Sequence, residues 1–191
     1  MVDTDLKERK SSTILFLFIV LFRLIITLAR PYEIDMAGYA AWSRYLAEYG
    51  PARFYSDSGF HIVYAPFFLY FLWLTGEICR FFSAPAGFHI YLIKLVSVAF
   101  EFLGAWLLIK LSEKADRAER GRTMALLYLV NPGILMNSSV WGQFDSVSAT
   151  MLVGVLLLFV YKKRNLAALL FLVSVLTKPQ SGNKKKKRGQ I

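Results

Sequence analysis

Two acidic stretches hold the side chains of this chain best suited to chemistry, and each adjoins an apolar run. Glu33 and Asp35 stand two residues apart in Tyr32-Glu33-Ile34-Asp35-Met36. In an extended segment alternate residues point the same way, so both carboxylates can share a metal, a proton or a sugar hydroxyl. At the start of a helix they would instead be solvated acids complementing its N-terminus. The second stretch, Trp141-Gly142-Gln143-Phe144-Asp145, separates two runs apolar enough to enter a membrane. A carboxylate at such a junction is unfavourable unless water, a partner or a substrate meets it, which makes this stretch a candidate site.

The elements that must position these groups follow from composition. Of 191 residues, 56% are hydrophobic and 19% charged, and the mean hydropathy is +0.45, more apolar than a soluble domain of this size. Runs at 13–29, 88–111, 123–140 and 145–161 approach the ~20 residues needed to cross a bilayer core of ~30 Å, and a shorter run covers 166–178. Without water to satisfy the backbone, such runs must be helices. The expected fold is all-α, a polytopic transmembrane helix bundle whose outer loop, 30–87, carries interfacial helices. The lone cysteine, Cys79, excludes an intramolecular disulfide and reads as a small apolar helix residue. No small-residue cleavage site follows the first run, which reads as a retained anchor.

Basic residues orient the bundle, because Lys and Arg in short loops mark the cytoplasmic side. Lys7, Arg9 and Lys10 precede the first run; Lys110, Lys114, Arg117, Arg120 and Arg122 fill one loop; Lys162, Lys163 and Arg164 follow the run at 145–161. With these inside, 30–87 and the Trp141 stretch lie outside. Parity then lays 62–82 in the outer interface or lets it dip and return, in keeping with Pro66, Gly76, Glu77 and Arg80. As an ordinary span it would leave a basic loop outside.

Further along, 37–49 reads as a helix stopped by Gly50-Pro51, with Tyr39, Trp42, Tyr45 and Tyr49 as an aromatic interfacial face. Pro132, Gly133, Asn137, Ser138 and Ser139 suit a helix bordering a wet pocket. Arg23, Lys94 and Glu101 are charges inside apolar runs. Lys94 and Glu101 are about 10 Å apart along a helix axis, too far for a direct pair, so Lys94 snorkels, pairs with another helix or serves function. The separated His61 and His89 do not form a metal site.

Four blocks, in order, resemble the C-type superfamily of membrane glycosyltransferases, and most of all prokaryotic proteins related to the second mannosyltransferase of glycosylphosphatidylinositol anchor synthesis. They are 35–55, with the acidic site, the Tyr/Trp helix and a Gly50-x-x-x-Phe54-Tyr55 ending; Tyr64-Ala65-Pro66-Phe67; Asn131-Pro132 running to Ser138-x-x-Trp141-Gly142-Gln143-Phe144-Asp145-Ser146; and Thr177-Lys178-Pro179-Gln180. The second block departs from relatives, which often carry an acidic residue and two prolines there. The resemblance implies transfer of a hexose, mannose in the nearest relatives, from a polyprenyl-phosphate carrier at the outer face. It makes Asp35 the catalytic acid, as general base or acceptor-orienting group. Glu33, Trp141, Gln143, Asp145, Lys178 and Gln180 become candidate substrate-binding residues, Lys178 and Gln180 meeting the carrier phosphate unless Lys178 is only an interfacial anchor. No metal ligand is assigned, although some superfamily members use Mg²⁺ or Mn²⁺.

The partners expected are a lipid-linked sugar donor and membrane lipids, in a prokaryotic plasma membrane with the N-terminus cytoplasmic. The basic tail at 181–191 follows a motif that relatives continue with further spans, so a frameshifted or premature end is expected there. Removing its five basic residues lowers the formal charge from +10 to +5, and the remainder lies mainly in inner loops, which implies no nucleic-acid partner. Two rival readings are a transporter or channel subunit with Lys94, Glu101 and Asp145 as an ion path, and an inactive truncated remnant.

Overall fold

The computed structural model describes the backbone of residues 2–60 and 64–178 and side chains from residue 13 onward; among these residues every regular element is a helix. In chain order they are α1 (Val2–Ile26), α2 (Glu33–Tyr49), α3 (Phe54–Asp57), α4 (Pro66–Phe81), α5 (Ala86–Lys114), α6 (Ala118–Leu129), α7 (Pro132–Ile134), a π-helical segment (Leu135–Trp141), α8 (Asp145–Val160) and α9 (Arg164–Thr177).

The 29 residues of α5 give it a length of about 43 Å. Among the described residues it is the one helix long and apolar enough to cross a membrane; Thr13–Ile26, α8 and α9 are apolar but shorter. The run at 123–140 is not one helix. It ends at Leu129 and restarts at Pro132, because proline lacks the N–H a continuing helix needs and pushes the preceding residue into extended backbone. Asn131 takes that conformation and caps the new start, its Oδ1 accepting from the N–H of Gly133 at 2.8 Å and of Ile134 at 3.4 Å.

α5 packs against α6 and α8, α8 against α9, and α2 against α4, which also reaches α5 and α9. One core joins Met36, Tyr39 and Leu46 of α2 to Phe68 and Leu72 of α4, Ile93 of α5 and Phe144; a smaller one joins Ile19, Ala105, Ala125 and Leu129. α2 and α4 approach closely at Gly76, where a Cβ would lie 2.3 Å from the Ser43 carbonyl oxygen. Beside that contact the Ser43 hydroxyl donates to the Leu72 carbonyl at 2.6 Å and meets His89 Nε2 at 2.8 Å. The start of the 62–82 stretch, with His61, lies outside the described residues; its remainder is α4, which buries one side on α2 and α5 and exposes Tyr70, Leu74 and Phe81.

The aromatic interfacial face expected along 37–49 does not form. Tyr39 and Trp42 are 2% and 8% exposed, packed edge-on against Phe68, Phe54 and Tyr64, and only Tyr49 stands out from the surface. A helix with a core to bury against uses its aromatic rings there, since each removes a large apolar area from water.

Candidate functional site

α2 begins at Glu33, four residues before the sequence suggests, and this separates the two acids of the first stretch. In a helix, residues two apart are turned by about 200°, so the shared face of an extended segment is lost. Glu33 turns outward to the Arg30 guanidinium, with Nε at 2.9 Å and Nη2 at 2.5 Å, and both side chains are well exposed. Asp35 turns inward and is half-buried. Its Oδ2 accepts hydrogen bonds from Gln143 Nε2 at 2.5 Å and Trp141 Nε1 at 3.0 Å; among the described residues none reaches Oδ1. The Tyr32 ring lies against the Trp141 indole, centroids 4.8 Å apart, and the Tyr32 N–H donates to the Trp141 carbonyl at 3.4 Å.

The backbone after the π-helical segment aims these donors. The N–H groups of Gly142 and Gln143 both donate to the Asn137 carbonyl, at 3.1 and 2.9 Å, so the wide turn closes tightly. Gly142 sits at φ +95°, and a Cβ there would come within 2.7 Å of Met36 Cε and 3.3 Å of Lys94 Cγ. Glycine is therefore required both by backbone conformation and by space. Ser97 of α5 donates to the Gln143 carbonyl at 2.9 Å, and Phe144 packs edge-on against Phe68 and Tyr39. The five-residue stretch thus divides: Trp141 and Gln143 face Asp35, while Gly142 and Phe144 anchor the turn.

Asp145 opens α8, where the helix dipole favours a carboxylate. It forms an ion pair with Lys178 through Oδ1 and accepts from Asn137 Nδ2 at 3.3 Å through Oδ2. Lys178, expected to await a phosphate, is thereby engaged, and Gln180 and the basic tail lie outside the described residues. Lys94 is buried; its Nζ donates to the Ala29 carbonyl at 2.7 Å and so satisfies the chain just past the end of α1. Glu101 pairs not with Lys94 but with Arg23 of α1, both fully buried, and accepts from Ser146 Oγ at 2.6 Å; Ser146 in turn meets Ser138 Oγ at 2.6 Å.

Three contributors escaped sequence reasoning: Asn137 as the partner of Asp145, Ser97 as the tether of the turn, and Tyr39. The Tyr39 hydroxyl lies 2.5 Å from that of Tyr64. Burial pushes its phenol far above the usual range, followed by the Tyr64 hydrogen bond and charge and then the charges of Asp35 and Asp145, so Tyr39 stays a neutral hydroxyl. The polar residues at 137–139 gave a signal for Asn137; nothing in sequence singles out Ser97.

The donor set matters chemically. Asp35 is held by neutral N–H groups, which fix the carboxylate while leaving Oδ1 able to take a proton. Among the described residues no three His, Cys, Asp or Glu side chains converge as metal ligands. The oxygens of Asp145 already meet Lys178 and Asn137, and Oδ2 of Asp35 meets two N–H donors, so the residues present do not fit a divalent cation. Compared with known proteins, the chain significantly matches no family, no curated protein and no solved structure.

Proposed function

We propose that this corner is the acceptor side of a membrane hexosyltransferase that uses a polyprenyl-phosphate sugar, mannose in the nearest resemblance, at the outer membrane face. On this reading α5 is joined in the bilayer by the 13–26 part of α1, the broken stretch from α6 through the π-helical segment, α8 and α9, giving a polytopic bundle with its N-terminus inside and Trp141 on the same side as Asp35. The observation that carries the proposal is the Asp35 carboxylate, fixed through Oδ2 by Gln143 and Trp141 with Oδ1 left for a substrate. Oδ1 takes the proton of the acceptor hydroxyl as that oxygen attacks the anomeric carbon. The bond from that carbon to the carrier phosphate breaks with inversion, and the phosphate leaves with the electron pair. Lys178 stands beside Asp145, from which its ammonium can offset the leaving charge. The aromatic pair Tyr32 and Trp141 stands beside the carboxylate, where a sugar ring could stack.

An ion-path reading draws less support, since Glu101 is sealed against Arg23 and Lys94 is tied to the Ala29 carbonyl. The test is sugar transfer from a synthetic labelled polyprenyl-phosphate hexose in membranes containing the protein. Asp35→Asn, which keeps shape and most hydrogen bonds, should lower the rate by at least ~100-fold at unchanged protein level and helical content. Transfer by Asp35→Asn at the wild-type rate rejects the mechanism.

A further inference from the structure

Away from Asp35, an apolar slot of about 340 Å³ opens between α1, α5 and α6. Its walls include Phe16 of α1, Phe102 and Trp106 of α5, and Ala125 and Leu126 of α6, with Arg122 as the one charged wall residue among the described residues. The helices fix the direction of the slot. Along α6 it runs from Arg122 to Leu129 and along α5 from Ile109 back to Phe102, seven residues in each case, or about 10 Å. Both helices therefore place Arg122 and Ile109 at the same end. Lys110 and Lys114 follow on that end of α5, and Arg117 and Arg120 stand in the turn and first residues leading to Arg122; with Glu113, Asp116 and Glu119 between them, this end carries five basic residues against three acidic ones. Among the described residues Arg117, Arg120 and Arg122 form no ion pair, while Lys110 is paired with Glu113. Phe16 and Trp106, about half exposed, leave the side of the slot open.

A closed apolar pocket would fit any greasy molecule, and a basic patch alone any anion. Here an apolar slot open along one side ends at guanidinium groups that form no ion pair among the described residues. We infer that the slot holds one acyl chain of an anionic phospholipid from the surrounding bilayer, with its headgroup phosphate on Arg122 and the basic turn. The inference rests on α5 lying in a membrane and is independent of sugar transfer.

The test is lipid retention by the full chain, extracted in neutral detergent from bilayers of phosphatidylglycerol and phosphatidylcholine in equal parts and read by native mass spectrometry. The wild type should keep phosphatidylglycerol in preference to phosphatidylcholine. Arg122→Gln, at an exposed position that folding tolerates, should lower that retention about fivefold. Lys163→Gln makes the same charge change at the start of α9 and should leave it unchanged. Ala125→Trp, which fills the slot, should remove the lipid, with circular dichroism verifying the fold. Equal retention of the two lipids, equal losses in Arg122→Gln and Lys163→Gln, or a lipid-free dimer cross-linked through Phe16 would each overturn the inference.

Discussion

Asp35 and Glu101 are both carboxylates set among apolar helices, and they are held in opposite ways. Glu101 is fully buried, neutralised by Arg23 and bonded to Ser146. Asp35 is half-buried and, among the described residues, bonded only to neutral donors through Oδ2. The first arrangement pairs two buried charges and joins three helices; the second leaves one carboxylate oxygen without a partner among the described residues. The contrast teaches that a charge in an apolar run is not by itself a site. On the proposed reading, what marks Asp35 out is an oxygen left open for a substrate.

That comparison can be broken most forcefully at Glu101. Glu101→Leu leaves Arg23 buried without a counter-charge and should destabilise the protein by about 3–5 kcal/mol, seen as a large drop in thermal midpoint in detergent. The double variant Arg23→Met with Glu101→Leu should recover most of it, since a well-packed apolar pair often replaces a buried ion pair without loss. If the single variant melts like the wild type, the pair is not structural. A smaller effect is expected on the Asp35 side. Gly142→Ala must adopt a left-handed φ and push on Met36, costing about 1–3 kcal/mol, and it should impair transfer beyond its effect on stability by turning Trp141 and Gln143 away. Transfer that falls only in step with the folded fraction would show that the turn does not aim those donors. The smallest effect belongs to Glu33, whose ion pair with Arg30 is solvent-exposed. Glu33→Gln should change stability by less than about 0.5 kcal/mol and leave transfer intact. A loss equal to that of Asp35→Asn would restore the two-carboxylate site that the helix start argues against.

Much of the architecture was legible in the residues. The apolar run at 88–111 foretold α5, and Pro132-Gly133 marked where the next run breaks. The meeting of Asp35 with the Trp141 stretch followed only from charge parity and resemblance, because local sequence carries no sign of which distant segments touch. Glu33-x-Asp35 reads equally as an extended pair or as the first turn of a helix, and the packing of α2 on α4 decides in favour of the helix. Arg23 and Glu101 left no periodic trace of their partnership, since it depends on how α1 lies against α5. The rings of 39–49 were misplaced for a related reason: an aromatic face suits water–lipid interfaces and protein cores alike.

The π-helical segment has a consequence for how this corner tolerates change. A wide turn holds one residue more than an α-helical turn of the same rise, so its length acts as a phase setting for everything that follows. Deleting a single residue between Leu135 and Val140 would let the backbone relax to the α register with Trp141 kept in nearly the same phase relative to Asn131, whereas removing a second would turn it by about 100°. The indole would then leave Asp35 with the apolar core still filled. The wide turn thus gives this corner one residue of slack and no more.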